Sequence, residues 1–301
     1  MLRNRIMSNE FSGKTAIISG GAGGIGFALA EEFGKLGMNI VIADIDQTLL
    51  KKAEQKLQDA SIQVLARTLD VTNYSQWEDT VSAAEEQFGN IHMLINNAGV
   101  GGIPGSVDKT KIETWKWVLD VNVMGVVNGT QATAPSMKSH GQGGWIINVA
   151  SMAGMNGVAY SGAYAASKAA VVSMSESWAA ELKKYNIAVS ALCPAFVKTR
   201  IHESLRNLQP EYQGVKDQGG PKITSEKRVN PVQALVESGI PPSLLAKRVV
   251  EALKSGQRYI FTHPNFRAPI GYRSERIDSA FSDAENSPLV GHLKDDEIVM
   301  L

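Results

Sequence analysis

The sequence has little of several features that would point directly to a function or a cellular location. Its 301 residues include one cysteine, Cys193, which excludes an intrachain disulfide or a cysteine-rich metal site. Lysine plus arginine and aspartate plus glutamate number 30 each, which gives zero formal net charge and no basic patch for nucleic acid. No apolar run is long enough to span a membrane, and residues 1–14 lack the apolar centre of a secretion signal. We therefore expect a cytoplasmic protein without a metal, nucleic-acid or membrane partner, although a disulfide-free secreted protein would have the same composition.

Short apolar runs alternate with longer helical patterns from residue 15 onward. Strands are predicted at residues 15–19, 39–43, 63–68, 92–95, 145–149, 188–192 and 258–262, and helices at 25–36, 47–59, 74–88, 112–137, 159–185 and 242–255. The strands are almost continuously apolar, which is typical of strands buried on both faces of a parallel sheet. Strand–helix alternation with short links indicates right-handed βαβ units. The predicted fold is α/β, a doubly wound parallel sheet of the Rossmann type with three α/β/α layers.

The pattern changes after the sixth predicted strand. Residues 196–240 are largely polar and include many glycines, prolines and glutamines, and such long excursions inside compact domains are usually lids or binding loops. We expect an N-terminal arm at residues 1–10 and one Rossmann-type domain at 11–263, with residues 196–240 as its substrate loop. Residues 264–301 are predicted to form a polar, partly acidic C-terminal tail.

A glycine-rich turn follows the first predicted strand and opens the first predicted helix. Gly20, Gly24 and Gly26 have G-x-x-x-G-x-G spacing, with Ile25 between the last two. Glycines allow the backbone to turn tightly and to approach a pyrophosphate, and the helix N-terminus offers free N–H groups to that anion. The strand before and the helix after it favour a dinucleotide site over a tight turn without a ligand.

Asp44 ends the second predicted strand, where an acidic side chain can accept hydrogen bonds from the adenosine ribose hydroxyls. Such a carboxylate repels a 2′-phosphate, and no lysine or arginine lies in the glycine turn or directly after Asp44 to neutralise one. The sequence therefore predicts NAD rather than NADP as the cofactor. The alternative is that Asp44 caps the next helix together with Asp46, and both roles are compatible.

Tyr164 and Lys168 are four residues apart in a helical pattern, so the phenol and the ammonium group lie on one face. Lowering the pKa of a tyrosine from about 10 to about 7 requires about 4 kcal/mol. A lysine charge 4–6 Å away supplies about 3–4 kcal/mol at an effective dielectric constant near 20. The pair is therefore able to make an acid/base tyrosine, although the spacing alone is common by chance.

With these elements in this order, the sequence resembles the short-chain dehydrogenase/reductase family, of the three-glycine type with a Y-x-x-x-K active site. The resemblance covers residues 12–200 and, more loosely, 242–262. Besides the glycine turn it rests on Asp70-Val71, Asn96-Asn97-Ala98-Gly99, Asn122, Ser151, Tyr164 and Lys168. The sequence departs from the family at Pro194-Ala195, where many members have Pro-Gly, and the added methyl group is expected to narrow the pocket beside the nicotinamide.

The resemblance implies a role for each matched residue. Tyr164 exchanges a proton with the substrate oxygen, and Lys168 lowers the tyrosine pKa and holds the nicotinamide ribose. Ser151 hydrogen-bonds the substrate oxygen, and Asn122 helps to hold a water in the proton relay. The implied cofactor contacts are Gly20, Gly24, Ile25, Gly26, Asp44, Asp70, Val71, Asn97, Ala98, Gly99, Tyr164, Lys168, Pro194, Val197 and Thr199. The helix that carries Trp178 commonly forms a dimer interface in this family, which implies a homodimer or homotetramer.

The substrate is expected to be a bulky apolar or aromatic secondary alcohol or ketone. The predicted pocket residues Met152, Met155, Tyr160 and Phe196 lie in loops that the family varies. Residues 209–262 resemble members that oxidise lignin-derived aromatic alcohols, while steroid-like and terpenoid alcohols stay open. Two other functions were weighed: a non-catalytic NAD-binding scaffold or sensor on the same fold, and a sugar-nucleotide epimerase. The intact Ser151, Tyr164 and Lys168 argue against the scaffold, and the glycine spacing argues against the epimerase.

Overall fold

The computed structural model describes residues 10–218 and 231–297, so the predicted arm (except Glu10), part of the predicted substrate loop and the last residues of the tail lie outside the described residues. The strands are β1 (Thr15–Ser19), β2 (Asn39–Asp44), β3 (Val64–Thr68), β4 (Ile91–Asn96), β5 (Gly144–Val149), β6 (Ile187–Cys193) and β7 (Tyr259–Phe261). The α-helices are α1 (Gly24–Lys35), α2 (Gln47–Asp59), α3 (Tyr74–Phe88), α4 (Ile112–Leu119), α5 (Gly125–Ser139), α6 (Met152–Met155), α7 (Gly162–Leu182), α8 (Pro231–Glu237), α9 (Pro242–Lys254) and α10 (Arg267–Glu285).

The seven strands form one parallel sheet in the order β3-β2-β1-β4-β5-β6-β7. The order in which strands are added to the sheet reverses between β1 and β4. The chain first adds β2 and β3 on one side of β1, and it then returns to add β4 to β7 on the other side. In doubly wound sheets a ligand crevice lies at such a point, outside the carboxyl ends of the strands. The predicted doubly wound parallel sheet is confirmed.

Side chains that alternate along each strand pack into separate cores on the two faces of the sheet. Ile18 and Ile42 lie with α1, α2 and α9 in one fully buried cluster. Ile17 and Val41, their direct neighbours in sequence, lie with α3, α4 and α7 in the other. Strands buried on both faces need apolar residues at every position, which explains the continuous apolar runs in the sequence.

The predicted helices at 47–59 and 74–88 have the observed bounds, and most other boundaries differ by one or two residues. Two predictions were wrong in detail. The helix predicted at 112–137 is interrupted by a π-helical turn, Asp120–Met124, between α4 and α5. The helix predicted at 159–185 begins at Gly162, because Tyr160 has a φ of 61°, a left-handed conformation that cannot continue into a helix.

Two 3-10 segments, Ile201–Asn207 and Pro210–Gln218, occupy the first part of the predicted substrate loop. A second compact unit begins at His263 and contains α10 and a 3-10 turn, Gly291–Asp295. The polar composition of the predicted tail did not indicate the 19-residue helix α10. No helix in the described ranges combines the length and the apolar character needed to cross a membrane.

Candidate active site

The glycine turn between β1 and α1 has no room for larger side chains at its critical positions. Gly20 has a φ of 62°, in the left-handed region that favours glycine. A Cβ atom on Gly26 would lie 2.2 Å from the carbonyl oxygen of Gly20. The N-cap residue of α1 is Gly23, which provides no side-chain cap for the first N–H groups of the helix. The turn is therefore a tightly packed cradle that presents backbone N–H groups at a helix N-terminus, as an anion requires.

The N-N-A-G element after β4 holds this cradle in place. The side-chain amide of Asn97 donates to the carbonyl oxygens of Ser19 and Gly20, both at 2.9 Å. The Ser19 hydroxyl in turn accepts from the backbone N–H groups of Asn97 at 3.0 Å and Ala98 at 3.2 Å. Asn96 plays a different part: its amide donates at 2.8 Å to Asn148 on β5 and so joins two central strands.

Asp44 lies at the carboxyl end of β2 and faces the cradle. One carboxylate oxygen accepts from the backbone N–H of Ala22 and the other from that of Asp46, each at 3.1 Å. Burial raises the pKa of Asp44, and these two N–H groups oppose that effect. Asp46, rather than Asp44, is the N-cap of α2, where it accepts from Leu49 N at 3.0 Å. Asp44 is therefore not the capping residue and is directed to the cleft.

Asp70 and Val71 follow β3 on the same side of the cleft. Asp70 Oδ1 accepts from the backbone N–H of Thr72 at 3.0 Å and from its hydroxyl at 2.8 Å. It also accepts at 3.2 Å from the amide of Gln209, a contact that crosses 139 positions of sequence. The Asp70 carboxylate is thus fixed from two sides.

Asn122 lies in the π-helical turn between α4 and α5 and is fully buried. Its side chain accepts from Val100 N at 2.8 Å and donates to Val100 O at 2.9 Å and to the Ser167 hydroxyl at 3.0 Å. Short π-helical turns inside α-helices are frequent at functional sites, because they redirect backbone groups that a regular helix would occupy. The turn connects the loop after β4 to α7, which carries Tyr164 and Lys168.

Ser151, Tyr164 and Lys168 converge at the carboxyl ends of β5 and β6. Ser151 is the N-cap of α6 and hydrogen-bonds the Tyr164 side chain. The Lys168 ammonium nitrogen lies 5.8 Å from the centre of the Tyr164 ring. It donates at 2.7 Å to the carbonyl oxygen of Val149, at the end of β5. Lys168 is 3% exposed, so its charge acts in a poorly solvated environment.

Burial shifts the pKa values of Tyr164 and Lys168, and the sequence does not show how deeply either side chain is buried. Burial raises the pKa of Tyr164 above its ordinary value, opposed by the hydrogen bond with Ser151. It also lowers the pKa of Lys168 to about 8. Removal from water therefore favours the neutral phenol, and the lowering of the tyrosine pKa by Lys168 stays a prediction.

One cavity of about 440 Å³ joins these elements. Its walls include most of the predicted cofactor and catalytic residues: Gly20, Gly24, Ile25, Asp44, Asp70, Val71, Asn97, Ala98, Gly99, Ser151, Tyr164, Lys168, Pro194, Val197 and Thr199. The remaining two predicted residues lie just outside the cavity wall. Gly26 lies behind the turn, where a Cβ on Gly26 would also contact Asn97. Asn122 lies behind Gly99, and its Oδ1 would be 3.2 Å from a Cβ on Gly99. The predicted residues are thus gathered at one site.

The four predicted substrate residues do not line this cavity in the described part of the chain. Met152 is buried beneath it and donates its N–H to Pro194 O at 2.9 Å, and Met155 is partly buried in the same short helix. Tyr160 is 69% exposed, and Phe196 is partly buried, with its carbonyl oxygen bound to Ile240 N at 3.0 Å. Their contact with substrate therefore stays a prediction.

Ala195, expected beside the nicotinamide, and Val100, in a loop expected to vary with the substrate, both line the cavity. Sequence reasoning missed other aliphatic residues of its walls, including Val121, Val149, Ile201 and Val236. Arg206 reaches the cavity from the first 3-10 segment after β6, and Gln209 from the short link between the two segments. No local sequence signal marks them, because their proximity to the glycine turn depends on how residues 201–218 fold back over the cleft.

Comparison with known proteins was consistent across sequence and structure. The family described as short chain dehydrogenase matches residues 14–210. A CLA biosynthesis dehydrogenase/reductase from Lactiplantibacillus plantarum is 34% identical over 276 residues, 89% of this chain and 94% of the relative. A C alpha-dehydrogenase from Sphingobium sp. is 30% identical over 280 residues, covering 93% of this chain and 90% of the relative.

A solved structure has the same architecture. The short chain dehydrogenase/reductase from Burkholderia phymatum, determined in complex with NAD, matches with a TM-score of 0.82 and 35% identity. The match covers 90% of this chain and 96% of the Burkholderia chain.

Proposed function

Because this chain belongs to the short-chain dehydrogenase/reductase family, we propose that it is an NAD-dependent alcohol dehydrogenase or ketone reductase with Tyr164 as its acid/base. As a family member it is an oxidoreductase that uses a nicotinamide cofactor. The observation that carries the proposal is that Ser151, Tyr164 and Lys168 line the same cavity as the glycine turn. One cavity therefore contains both a group that can transfer a proton to a substrate and a turn that can hold a dinucleotide.

The residues present fit a dinucleotide. The cradle is so closely packed that a Cβ on Gly26 would overlap the Gly20 backbone, which is the packing expected where a helix N-terminus must approach a pyrophosphate. Asp44 is in position for the adenosine ribose, and Asp70 with Val71 for the adenine. When bound, the nicotinamide supplies or accepts the hydride.

NAD is proposed over NADP because of the environment of Asp44. Both of its oxygens already accept backbone N–H groups, which holds the carboxylate at the cleft. A 2′-phosphate at this position would meet a fixed negative charge, whereas two ribose hydroxyls would meet hydrogen-bond acceptors. Replacing Asp44 with alanine is expected to relax the preference for NAD, and a wild type that already prefers NADPH would refute this assignment.

Each of the three side chains near β5 and β6 has a distinct task. Tyr164 gives its phenolic proton to a carbonyl oxygen in reduction and takes the proton from an alcohol in oxidation. Ser151 hydrogen-bonds the same oxygen and holds it in reach of the phenol. Lys168 binds the nicotinamide ribose, and its charge, 5.8 Å from the centre of the Tyr164 ring, favours the phenolate. A cationic nicotinamide nearby adds to this stabilisation.

Asn122 is proposed to position the proton relay. Its amide is fully engaged with Val100 and Ser167, so the side chain acts as a brace that fixes the π-helical turn. The redirected backbone of that turn is proposed to hold the water through which Lys168 exchanges protons with solvent. Asn122 is therefore a positioning residue in this proposal.

The substrate is proposed to be a bulky apolar or aromatic secondary alcohol or ketone. Six aliphatic residues, Val100, Val121, Val149, Ala195, Ile201 and Val236, line the cavity that Ser151 and Tyr164 share. Such walls favour an apolar body on either side of the reacting oxygen. A panel of secondary alcohols and ketones, followed by nicotinamide absorbance with both cofactors, tests the proposal. Activity confined to sugars or acyl-carrier thioesters would contradict it.

We also propose a homodimer or homotetramer built on α7. Its outer face exposes small residues, including Ala166, Ala169 and Ser173, which allow close approach of a second helix. Sedimentation of wild type and Ala169→Glu tests this: the variant should dissociate, and an unchanged mass would contradict the proposed interface.

A further inference from the structure

Residues 201–218 are fixed against the body of the protein by specific polar contacts. The Gln209 side chain is 6% exposed, and its amide oxygen accepts from the Trp117 indole at 2.9 Å. Its amide nitrogen donates to Asp70 at 3.2 Å, and the Tyr212 hydroxyl donates to Asp120 at 2.7 Å. These contacts hold the segment on α4 and at the side of the cleft where Asp70 lies.

Arg206, which precedes Gln209 by three residues, is thereby placed at the mouth of the cavity. Its Nη1 donates at 2.7 Å to the carbonyl oxygen of Arg200. Arg200 follows Thr199, whose methyl group would lie 3.2 Å from a Cβ on Gly24. The guanidinium is thus bonded to the backbone of a segment that packs against Gly24, the first residue of α1, and it lines the same cavity as the glycine turn.

The charge of Arg206 is not matched by a close carboxylate. None of the ion pairs found within residues 10–218 and 231–297 involves it, whereas Arg200 pairs with Glu203 at 2.6 Å. Glu203, Asp44 and Asp46 act on it through electrostatics, but Glu203 is paired with Arg200 and the two Asp44 oxygens already accept backbone N–H groups. Four of the five guanidinium N–H groups are free of the Arg200 contact and can be directed to a ligand.

We propose that Arg206 is a cofactor-binding residue whose guanidinium binds the pyrophosphate of the dinucleotide, opposite the N-terminus of α1. The inference rests on the proposed function, which supplies the dinucleotide. It adds a side-chain cation from the loop after β6 to a site otherwise built from backbone N–H groups. The pyrophosphate is favoured over a 2′-phosphate, because the anchor at Arg200 lies beside the glycine turn while Asp44 repels a phosphate at the ribose.

The test uses titration calorimetry with three probes: adenosine, ADP and adenosine 2′,5′-bisphosphate. Wild type is compared with Arg206→Ala, Arg206→Lys and the matched control Arg258→Ala, an exposed arginine outside the cavity. We expect Arg206→Ala to weaken ADP binding about tenfold at low salt and to reduce its salt dependence, with adenosine unchanged. Arg206→Lys keeps the charge without the planar fork and should recover part of the loss. Arg258→Ala should bind as wild type does.

Four results would overturn the inference. ADP affinity unchanged in Arg206→Ala would show that the guanidinium does not reach the pyrophosphate. Equal losses for adenosine and ADP would indicate a structural or adenine-packing role. A loss confined to the 2′,5′-bisphosphate would place the arginine at the ribose. A wild type that binds neither ADP nor adenosine would overturn the proposed cofactor site itself, and the inference with it.

Discussion

Replacing Lys168 with methionine should change how stability depends on pH, in a direction set by the burial of the ammonium group. Burial lowers the pKa of Lys168 to about 8 in the folded protein, from an ordinary value of 10.5. Unfolding therefore takes up a proton between these two values. Because the unfolded state binds more protons there, the wild type becomes more stable as the pH rises from 8 towards 10.5.

The magnitude follows from the difference between the two pKa values. A difference of about 2.5 pKa units corresponds to about 3 kcal/mol. Between pH 7 and pH 9.5 about 2 kcal/mol of this is realised, because the folded group has lost its proton and the unfolded group has kept it. Methionine does not titrate, so the stability of Lys168→Met relative to wild type should fall by about 2 kcal/mol over this range. Loss of the hydrogen bond to Val149 adds a contribution that does not depend on pH.

Urea denaturation at pH 7, 8, 9 and 9.5, analysed by linear extrapolation, measures this difference. Lys51→Met on the exposed side of α2 is the control for removing a lysine. Cys193 interacts electrostatically with Lys168, so both proteins are compared in a Cys193→Ala background. A stability difference that stays constant with pH, or that shifts in favour of the variant, would refute the assignment of a buried ammonium group to Lys168.

Three further changes have definite outcomes. Gly26→Ala places a Cβ 2.2 Å from Gly20 O, so it should lower the free energy of unfolding by about 2 kcal/mol and remove most of the NADH affinity. Urea denaturation and NADH titration measure these two effects. Gly157→Ala, whose Cβ would lie in open space, is the control and should change neither. Burial raises the pKa of Cys193 to about 12 from 9.0, so the unfolded protein loses the thiol proton first and stability falls as the pH rises above 9. Cys193→Ala should reduce that loss by about 1 kcal/mol between pH 7 and 9.5 in urea denaturation, and an unaltered pH profile would contradict this. Trp117→Phe removes the hydrogen-bond donor to Gln209 and should lower the free energy of unfolding by about 1–2 kcal/mol. The double variant Trp117→Phe/Gln209→Ala should lose no more stability than each single variant does. Losses that add in the double variant would contradict the pairing.

The sheet was predictable because its strands are buried on both faces, which imposes continuous apolar runs such as Thr15–Ser19. Capping residues also set visible limits: Asp46 and Asn73 accept from backbone N–H groups at the starts of α2 and α3, whose bounds match the prediction. The π-helical turn at Asp120–Met124 leaves the apolar spacing almost unchanged, so helical periodicity could not reveal it. Helix α10 was missed because the composition of its segment is polar and gives no clear apolar face.

The residues of the site also fall into those that the sequence could predict and those that it could not. The site residues on β1, β2, β4, β5 and α7 are ordered along the chain by the sheet, so a motif order could predict that they meet. Gln209 approaches Asp70 across 139 positions only because residues 201–218 fold back on α4, and no local pattern encodes that contact. The rise that burial causes in the pKa of Tyr164 was not foreseen, since charge spacing is visible in a sequence and the extent of burial is not.

Turnover and NADH binding measured side by side in Tyr164→Phe test the central claim most directly. Phenylalanine keeps the ring on α7 and removes only the hydroxyl that Ser151 hydrogen-bonds. We expect turnover of a secondary alcohol identified in the substrate panel to fall by about a thousandfold, within the usual contribution of a general acid/base, while NADH affinity is unchanged. Turnover equal to that of wild type would contradict the assignment of proton transfer to Tyr164.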